Sequence, residues 1–519
     1  MRAFFVVSRA AAAAAISLSL AACGGGSFGP SITQQSGQSA QRSFGVHREP
    51  PNPPPIRYFV TEADREAAAR AGWKRVPGAP GNNDTALLLT DGTVMVHQAD
   101  ASGWYSLSPD DKGNYATGKW TAKASLPSTY GPLYFASAVR SDGTMLIAGG
   151  DYNFGNQIET NQGASYNPLA NTWRTVQPPS GWSQIGDASS VILNDGTYML
   201  GNCCMSVQAL AKTGTTTWKI TGTGKHDANS EEGWTLLPDG RVLTVDVFGA
   251  PNSELYNPAT GSWSSAGNLP SNMVLADEMG PQTLRNDGTV FVEGANGQTA
   301  IYTVATHSWK SGPSFPKVNG QQVLVTDGPA SQLTNGTVLA VGSIGVYGSP
   351  SYYYIFDGTT LKNIPGPPNA PNDAAYNVRL LMLPTGQVLE TDGSSDVEIY
   401  TPAVKADTTI APSISSVPTT LTHGTTYVIK GVRFNGFSQN NAYGDDAQDA
   451  TNYPLVRITN TASGHVVYAR THNHSFMGVA SQATVSTKFD VPATIETGAS
   501  TLEVVANGIP SKPVSVTIQ

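Results

Sequence analysis

The stretch Leu89-Thr90-Asp91-Gly92-Thr93-Val94-Met95-Val96 decides the fold, because the chain repeats its pattern. An Asp-Gly pair or a close variant, with apolar residues around it, occurs seven times, at Asp91-Gly92, Asp142-Gly143, Asp195-Gly196, Asp239-Gly240, Asp287-Gly288, Asn335-Gly336 and Thr385-Gly386. Asp-Gly and Asn-Gly supply the positive φ angles of a two-residue hairpin turn. The sequence therefore predicts seven β-hairpins.

The spacing of these turns predicts a ring of similar sheets. Successive turn glycines lie 51, 53, 44, 48, 48 and 50 residues apart, which matches the period of about 50 residues in Kelch blades. Because one blade cannot bury its own hydrophobic face, we interpret residues 58–405 as a closed, seven-bladed Kelch-type β-propeller. A tyrosine-tryptophan echo is similar to that of Kelch repeats and is explained by packing, at Tyr166 and Trp173, Tyr256 and Trp263, and Tyr302 and Trp309.

The repeat stops after Tyr400-Thr401-Pro402, and residues 409–519 carry a different alternating pattern. The sets Leu502, Val504, Ala506 and Val514, Val516, Ile518 are typical of strands. An immunoglobulin-like β-sandwich fits this length. With 54 glycines, 35 prolines and 13% charged residues, the composition also indicates an all-β protein rich in tight turns.

The N-terminal residues indicate export and lipid anchoring. Residues 1–23 combine Arg2 and Arg9 with an apolar, alanine-rich run that ends in Leu20-Ala21-Ala22-Cys23, the order of a signal peptide. The motif resembles a bacterial lipobox, which would make Cys23 the lipidated residue and, with Gly24 next, favours the outer membrane or cell surface. The alternatives are an ordinary cleaved signal with a chance cysteine, or a short membrane anchor. Residues 24–57, rich in Gly, Ser, Gln and Pro, are expected to form a flexible tether.

The net charge of -8 argues against nucleic acid as a partner, because phosphate binding needs clustered Lys and Arg. A monomer is expected. The other two cysteines, Cys203 and Cys204, are adjacent, so the chain has no disulfide framework. They could form a vicinal disulfide or pack as small hydrophobic residues, and the sequence leaves both possibilities open.

A seven-bladed propeller followed by a sandwich resembles galactose oxidase and the glyoxal oxidases. The family resemblance implies a copper ion held by two tyrosines and two histidines, with a cysteine joined to one tyrosine by a thioether. Tyr134, before Ala148-Gly149-Gly150, matches the radical tyrosine, and Tyr152 falls where galactose oxidase stacks a tryptophan. The cysteine is expected near Asn83, and that repeat has none.

The remaining positions of the resemblance are only partly kept. Tyr376 matches the second tyrosine, but Asn377 stands where the family has a histidine. The family's last histidine lies on a sandwich loop that enters the propeller, so His472 or His474 is its expected counterpart. Tyr134, Tyr376 and His472 are therefore the candidate catalytic residues, and the incomplete set argues against copper.

Residues at equal distances before the turn glycines should form one ring around the axis. Counting back nine positions gives Asn83, Tyr134, Asp187, Glu231, Met279, Asp327 and Asn377, with Glu232 and Glu278 one residue from that register. Carboxylates this close would repel one another or bind a cation. The hypothesis is a pocket for a divalent metal or a polyhydroxyl ligand, lined by Asp187, Glu231, Glu232, Glu278, Asp327, Asn377 and His474. The alternative is that these carboxylates cap backbone N–H groups.

Two further polar stretches allow two interpretations each. Residues 225–234 could line the mouth of the propeller or form a solvated loop, and Asp445-Asp446 with Asp449 could bind calcium or be solvated. Three functions follow: a divergent enzyme of the galactose oxidase-like group acting on carbohydrate or alcohol, a non-catalytic glycan- or protein-binding propeller, and a structural or adhesive protein. The cofactor is unknown at this stage.

Overall fold

The computed structural model describes residues 58–215, 217–444 and 449–519. Cys23, the signal and tether segments, and Asp445 and Asp446 lie outside the described residues. Within the described part the chain is nearly all-β and is divided among many small sheets. No helix in these ranges combines the length and the hydropathy needed to cross a bilayer.

Seven sheets with the same order of four strands follow one another along the described residues 73–400, beside a small three-stranded sheet of Pro132–Leu133, Tyr152–Asn153 and Asn156–Gln157, and in each the neighbouring strands are antiparallel. Innermost strand first, their strands are Asn83–Leu88, Val94–Gln98, Trp104–Ser108 and Lys119–Ala122 (sheet 1); Ala136–Val139, Met145–Ala148, Gly163–Asn167 and Thr172–Thr175 (sheet 2); Ser190–Ile192, Tyr198–Gly201, Gln208–Ala211 and Lys219–Thr221 (sheet 3); Thr235–Leu236, Val242–Val245, Asn252–Asn257 and Ser262–Asn268 (sheet 4); Gln282–Leu284, Thr289–Glu293, Thr299–Thr303 and Ser308–Ser311 (sheet 5); Ala330–Gln332, Val338–Ile344, Ser351–Phe356 and Leu361–Ile364 (sheet 6); Arg379–Met382, Val388–Thr391, Glu398–Tyr400 and Trp73–Arg75 (sheet 7).

The innermost strands form a closed circle, because each contacts the innermost strand of the next sheet and sheet 7 contacts sheet 1. This is the arrangement of a β-propeller. The outermost strand of sheet 7 is Trp73–Arg75, which comes from the beginning of the described chain and pairs with Glu398–Tyr400. Sheet 7 thus joins the two ends of the repeat region.

The seven glycine turns connect the first and second strand of each sheet, but their geometry differs from the predicted two-residue turn. In the first, Gly92 donates to the Leu89 carbonyl and Leu89 donates to the Thr93 carbonyl, so three residues form the loop. Gly92 has φ 78°, whereas Asp91 keeps a negative φ and accepts the Thr93 N–H through Oδ1. The predicted two-residue turn needs a second residue in the left-handed conformation, which is costly for an L-amino acid. In the observed turn only the glycine is left-handed, and the aspartate side chain stabilises the loop by its hydrogen bond.

The tyrosine-tryptophan echo is a cross-strand pair in the outer half of sheets 2, 4 and 5. The two residues of each pair are direct partners on adjacent strands, with ring centroids 5.1, 5.3 and 4.9 Å apart. Such pairs stabilise sheets by burying aromatic surface. Packing explains them, as predicted.

The remaining elements are small or C-terminal. The helices are Glu62–Ala71 and the 3-10 turns Val304–Thr306, Ala375–Asn377 and Thr408–Ile410; the short strands in residues 132–324 are Pro132–Leu133, Tyr152–Asn153, Asn156–Gln157, Lys317–Val318 and Gln321–Leu324. The C-terminal residues form one sheet of Ser413–Ser416, Thr426–Val432, Val485–Asp490 and Thr471–His472, and a second of Thr420–Leu421, Val514–Ile518, Gly498–Ala506, Leu455–Asn460, Val466–Ala469 and Ile509–Pro510. A hydrophobic core lies among these C-terminal strands.

The C-terminal region contacts the end of the ring that carries the glycine turns, which we call the turn face. Arg470 donates to the Asp142 carbonyl at 2.7 Å, and a Cβ added to Gly92 would lie 2.6 Å from the Tyr468 ring. The opposite face, where the innermost strands begin, is called the mouth.

Residues 438–444, the channel segment, run from the C-terminal region along the ring axis. The segment bonds to backbone groups of innermost strands: Gln439 accepts from Leu236 N, Asn441 accepts from Met382 N, and Asn441–Ala442 pairs with Ala330–Gln332. It satisfies backbone groups that the ring would otherwise bury without partners.

Candidate functional site at the propeller axis

Three carboxylates meet at the mouth end of the axis. Glu231, Glu278 and Asp327 each present an oxygen within 4.8 Å of the other two. They lie three or four residues before the innermost strands of sheets 4, 5 and 6. Both glutamates are buried and the aspartate is half-buried. We call this group the axial triad.

The backbone is in an uncommon conformation at three ring positions. Tyr134, Glu231 and Asp327, each nine residues before a turn glycine, have φ of 52°, 57° and 47°. Non-glycine residues seldom adopt this left-handed region, and where they do the surrounding structure must hold them there. The same register that the sequence identified is thus also the place where the backbone is constrained.

Two tyrosines lie against the axial triad. The Tyr347 hydroxyl donates to the Glu278 carboxylate, and its ring packs edge-on to Tyr376, with centroids 5.4 Å apart. Burial raises the Tyr347 pKa, and the charges of Glu278 and Asp327 raise it further. Tyr347 therefore stays protonated and serves as a hydrogen-bond donor to the triad.

Arg379 and the channel segment complete the surroundings. The Arg379 guanidinium lies 3.7 Å from the Tyr443 ring centroid and 5.5 Å from that of Tyr134. Tyr443 donates its hydroxyl to the Tyr376 carbonyl at 2.6 Å. Next to it, a Cβ on Gly444 would lie 2.0 Å from Asp327 Oδ1. Only glycine allows the channel segment to approach the triad this closely.

Glu232 points to a different cluster. The Lys225 ammonium lies 3.0 Å from Glu232 and 2.7 Å from Glu254, and all three side chains are buried. Asp227 and Asp246 approach the same cluster. The carboxylates raise the Lys225 pKa against the opposing effect of its burial, so the ammonium stays charged. All of residues 227–234 are buried, so the solvated-loop interpretation of this stretch is wrong.

The two histidines lie at the turn face. His472 Nε2 is 3.1 Å from Asp490 Oδ1, and His474 Nδ1 is 2.8 Å from Thr487 Oγ1. The His474 backbone N–H donates to Ser141, next to a glycine turn, and burial lowers the pKa of its ring to about 3. The C-terminal segment that enters the ring is instead residues 438–444, which contain no histidine.

The other ring positions are placed as follows. Asp187 and Asn377 are half-buried at the mouth ends of sheets 3 and 7. Among the described residues, the carboxylates that meet within 4.8 Å at the axis do not include Asp187. Asn83 is buried and donates to the carbonyl of Ser394, in the loop between the second and third strands of sheet 7. Tyr134 and Tyr152 meet edge-on with centroids 6.1 Å apart.

Cys203 and Cys204 form a vicinal disulfide, which decides between the two possibilities that the sequence left open. It lies close to the axial triad, because Cys203 Sγ is 4.0 Å from Ser230 Oγ and Glu231 follows Ser230. Glu159 approaches both sulfurs.

The sequence did not reveal a buried acidic group in sheet 7. Glu390 and Glu398 are direct partners on adjacent strands, and Asn369 bridges Asp373 and Asp392 with hydrogen bonds of 2.8 and 2.7 Å. Burial raises the pKa values of Asp373 and Glu398 to about 9 in each case. Alternation of Glu390, Asp392, Asp396 and Glu398 in a strand pattern was the available signal.

The axial triad can hold a hard cation. Carboxylate oxygens are the ligands that Ca²⁺, Mg²⁺ and Mn²⁺ prefer, and three such oxygens in mutual proximity supply a partial coordination shell. Of the three tyrosines around it, Tyr347 and Tyr443 are buried, and the Tyr443 ring is covered by Arg379. Tyr376 is half-buried and is therefore the ring that a ligand at the mouth would meet.

Comparisons with known proteins give limited matches. No family model matches the chain. "Kelch-like protein terF" from Aspergillus terreus is 27% identical over 132 residues, which are 25% of this chain and 27% of that protein. The match therefore spans about a quarter of the relative's length.

Solved structures are similar at low identity. A fungal alcohol oxidase in complex with copper has 14% identity and a TM-score of 0.39, covering 84% of this chain and 85% of that one. A streptogramin B lyase has 12% identity and a TM-score of 0.47, covering 63% of this chain and 97% of that one. These values assign neither a family nor an activity to the chain.

Proposed function

We propose that the chain is an exported, lipid-anchored, seven-bladed Kelch-type propeller protein with an immunoglobulin-like C-terminal domain, which binds a polyhydroxyl ligand such as a carbohydrate through a divalent cation. Glu231, Glu278 and Asp327 hold the cation. The observation that carries the proposal is the meeting of these three carboxylates, from three different sheets, within 4.8 Å of one another.

Electrostatics favours a cation at this place. Three negative charges a few ångströms apart raise one another's pKa or require a positive charge between them. A cation such as Ca²⁺ accepts six to eight oxygen ligands, so three carboxylates leave positions for ligand hydroxyls. When bound, the cation supplies attraction for those hydroxyls, while Tyr347 orients Glu278 by its hydrogen bond.

Binding is favoured over copper-radical oxidation by the residues themselves. Position 377 is asparagine, and the rings of His472 and His474 contact Asp490 and Thr487 of the C-terminal strand Val485–Asp490. Cys203 and Cys204 are bonded to each other, so neither sulfur is joined to Tyr134. Soft or imidazole ligands, which suit copper, are replaced here by carboxylates.

The site of action follows from the N-terminal motif. Lipidation at Cys23 would place the propeller at the outer membrane or cell surface, where glycans are available, as a tethered monomer. Metabolic labelling with a palmitate analogue tests this part separately, because Cys23→Ala should abolish the label.

The direct test is calcium and manganese binding to the full chain, measured by isothermal titration calorimetry after chelator treatment. The expected result is one site, lost in Glu231→Gln/Asp327→Asn and retained in the exposed control Glu66→Gln/Asp111→Asn. Sugar binding on a glycan array should disappear with chelator and in the same double variant.

Equal cation binding by the axial and control variants would reject the axial triad as the site. Cation binding without any cation-dependent glycan signal would reject the polyhydroxyl ligand and leave a structural metal.

A further inference from the structure

A second group of metal-ligating side chains lies beside the axial triad, at the vicinal disulfide. The sulfurs of Cys203 and Cys204 and a carboxylate oxygen of Glu159 lie within 4.8 Å of one another, and all three residues are buried. The triad of the proposed function contributes no ligand to this group.

One oxygen of Glu159 lacks a hydrogen-bond partner in the described part of the chain. The residue is only 7% exposed, and although its carboxyl group interacts with that of Asp151, its Oε2 makes no hydrogen bond to the residues that the structure describes. A buried carboxylate oxygen without a partner is costly, so its position calls for a ligand or a proton.

The backbone around Glu159 leaves space for this carboxylate. A Cβ on Gly186 would lie 1.9 Å from Glu159 Oε2 and 3.0 Å from Cys203 Cβ. Gly186 has φ 70°, which favours glycine, and any side chain there would displace the carboxylate from the sulfurs.

We propose that reduction of the Cys203–Cys204 disulfide creates a binding site for a thiophilic divalent metal, such as Zn²⁺, with the two sulfurs and Glu159 as its protein ligands. A phosphine reductant breaks the S–S bond: the phosphine and one water become phosphine oxide, and the two sulfurs become thiols. Metal binding then displaces the two thiol protons, and a water takes the fourth position.

The ligand chemistry separates this site from the axial triad. Thiolates select Zn²⁺ and related ions, whereas an all-carboxylate site suits Ca²⁺, Mg²⁺ or Mn²⁺. In the oxidised protein the sulfurs are bonded to each other, so the second site is present only after reduction. The disulfide thereby makes metal binding near the mouth dependent on redox state.

The test uses Co²⁺ as the probe, because thiolate ligands give cobalt an intense near-ultraviolet charge-transfer band that carboxylates do not. The full chain is reduced with a phosphine, freed of reductant without oxygen, and titrated with Co²⁺. One equivalent of Co²⁺ should produce the full band in the reduced protein. In the oxidised protein, Co²⁺ should produce no band.

Variants identify the ligands. Glu159→Gln should weaken Co²⁺ binding by about 10-fold or more, and Cys203→Ser/Cys204→Ser should abolish the band. Glu231→Gln/Asp327→Asn should leave it unchanged, so failure of the axial proposal is distinguishable from failure of this one.

Absence of a band in the reduced protein would overturn the proposal. So would an unchanged affinity in Glu159→Gln, a variant that keeps both cysteines and so remains informative if the serine variant does not fold. A band of equal strength in the oxidised protein would overturn the dependence on redox state.

Discussion

The protein is expected to lose stability as the pH rises, and replacing Glu398 with glutamine is expected to remove part of that loss. Glu398 is 1% exposed and lies directly opposite Glu390 on the next strand of sheet 7. Burial, and then the charges of Asp396 and Asp392, raise its pKa to about 9 from 4.5. The folded protein therefore holds a proton that the unfolded chain releases.

The sign follows from linkage. A raised folded-state pKa contributes stability that is complete below about pH 4.5 and is lost as the pH rises toward about 9. Each pH unit between these values lowers the free energy of unfolding by at most about 1.4 kcal/mol for one group, so from pH 6 to pH 8 Glu398 accounts for up to about 2.7 kcal/mol. For about 460 folded residues the unfolding entropy is roughly 1 kcal/mol/K, which converts this loss to about 3 °C in Tm.

The measurement is scanning calorimetry of the full chain at pH 6, 7 and 8. Wild type should lose several degrees over this range, and Glu398→Gln should lose about 3 °C less, because a neutral amide does not titrate. The exposed control Glu66→Gln should follow wild type. Parallel curves for wild type and Glu398→Gln would show that Glu398 is not the source of the dependence.

Three further substitutions test other parts of the structure. Lys225→Met leaves Glu232 and Glu254 buried without their cation and should cost about 3–5 kcal/mol, seen as a lower Tm at pH 7; an unchanged Tm would mean that the carboxylates take up protons without loss. Tyr347→Phe removes the hydroxyl bonded to Glu278 and should weaken calcium binding several-fold in calorimetry, whereas unchanged affinity would exclude Tyr347 from the site. Gly92→Ala and Gly288→Ala impose the same backbone strain, because both glycines have φ 78°. An added Cβ would lie 2.6 Å from the Tyr468 ring at Gly92 and would meet nothing within 4 Å at Gly288. Gly92→Ala should therefore lower Tm more, and equal losses of Tm would contradict the contact with Tyr468.

The sequence predicted the hairpins and part of the site because both depend on local spacing. All seven glycine turns join adjacent antiparallel strands, and counting back nine residues located Glu231 and Asp327. Glu278 falls one residue from that register. The two residues before it, Ala276 and Asp277, have positive φ values of 58° and 64°, so the backbone leading to this strand follows a different path from that in the other sheets.

The residues that the sequence missed depend on long-range contacts. Tyr347 lies in the loop between the second and third strands of sheet 6, which counting back from the turn glycines does not reach, and Tyr443 reaches the mouth from the C-terminal region. His472 and His474 were assigned from a family loop, but here a different loop enters the ring. Glu232 was expected to line the axial pocket. Its carboxylate instead points away from the axis, because it pairs with the buried ammonium of Lys225.

The way in which the channel segment enters the ring has a topological consequence. Asn435 Nδ2 bonds to the Asn452 carbonyl at 2.9 Å, so the chain enters and leaves the axis side by side at the turn face. Among the described residues, 436–444 run into the ring from the turn face, and 449–451 lie against them, because Asn441 donates to the Asp449 carbonyl and Thr451 donates to the Gln439 carbonyl. The ring strands end at Tyr400, so during synthesis they are made before the channel segment, and the segment can enter the ring without a chain end having to be drawn through it.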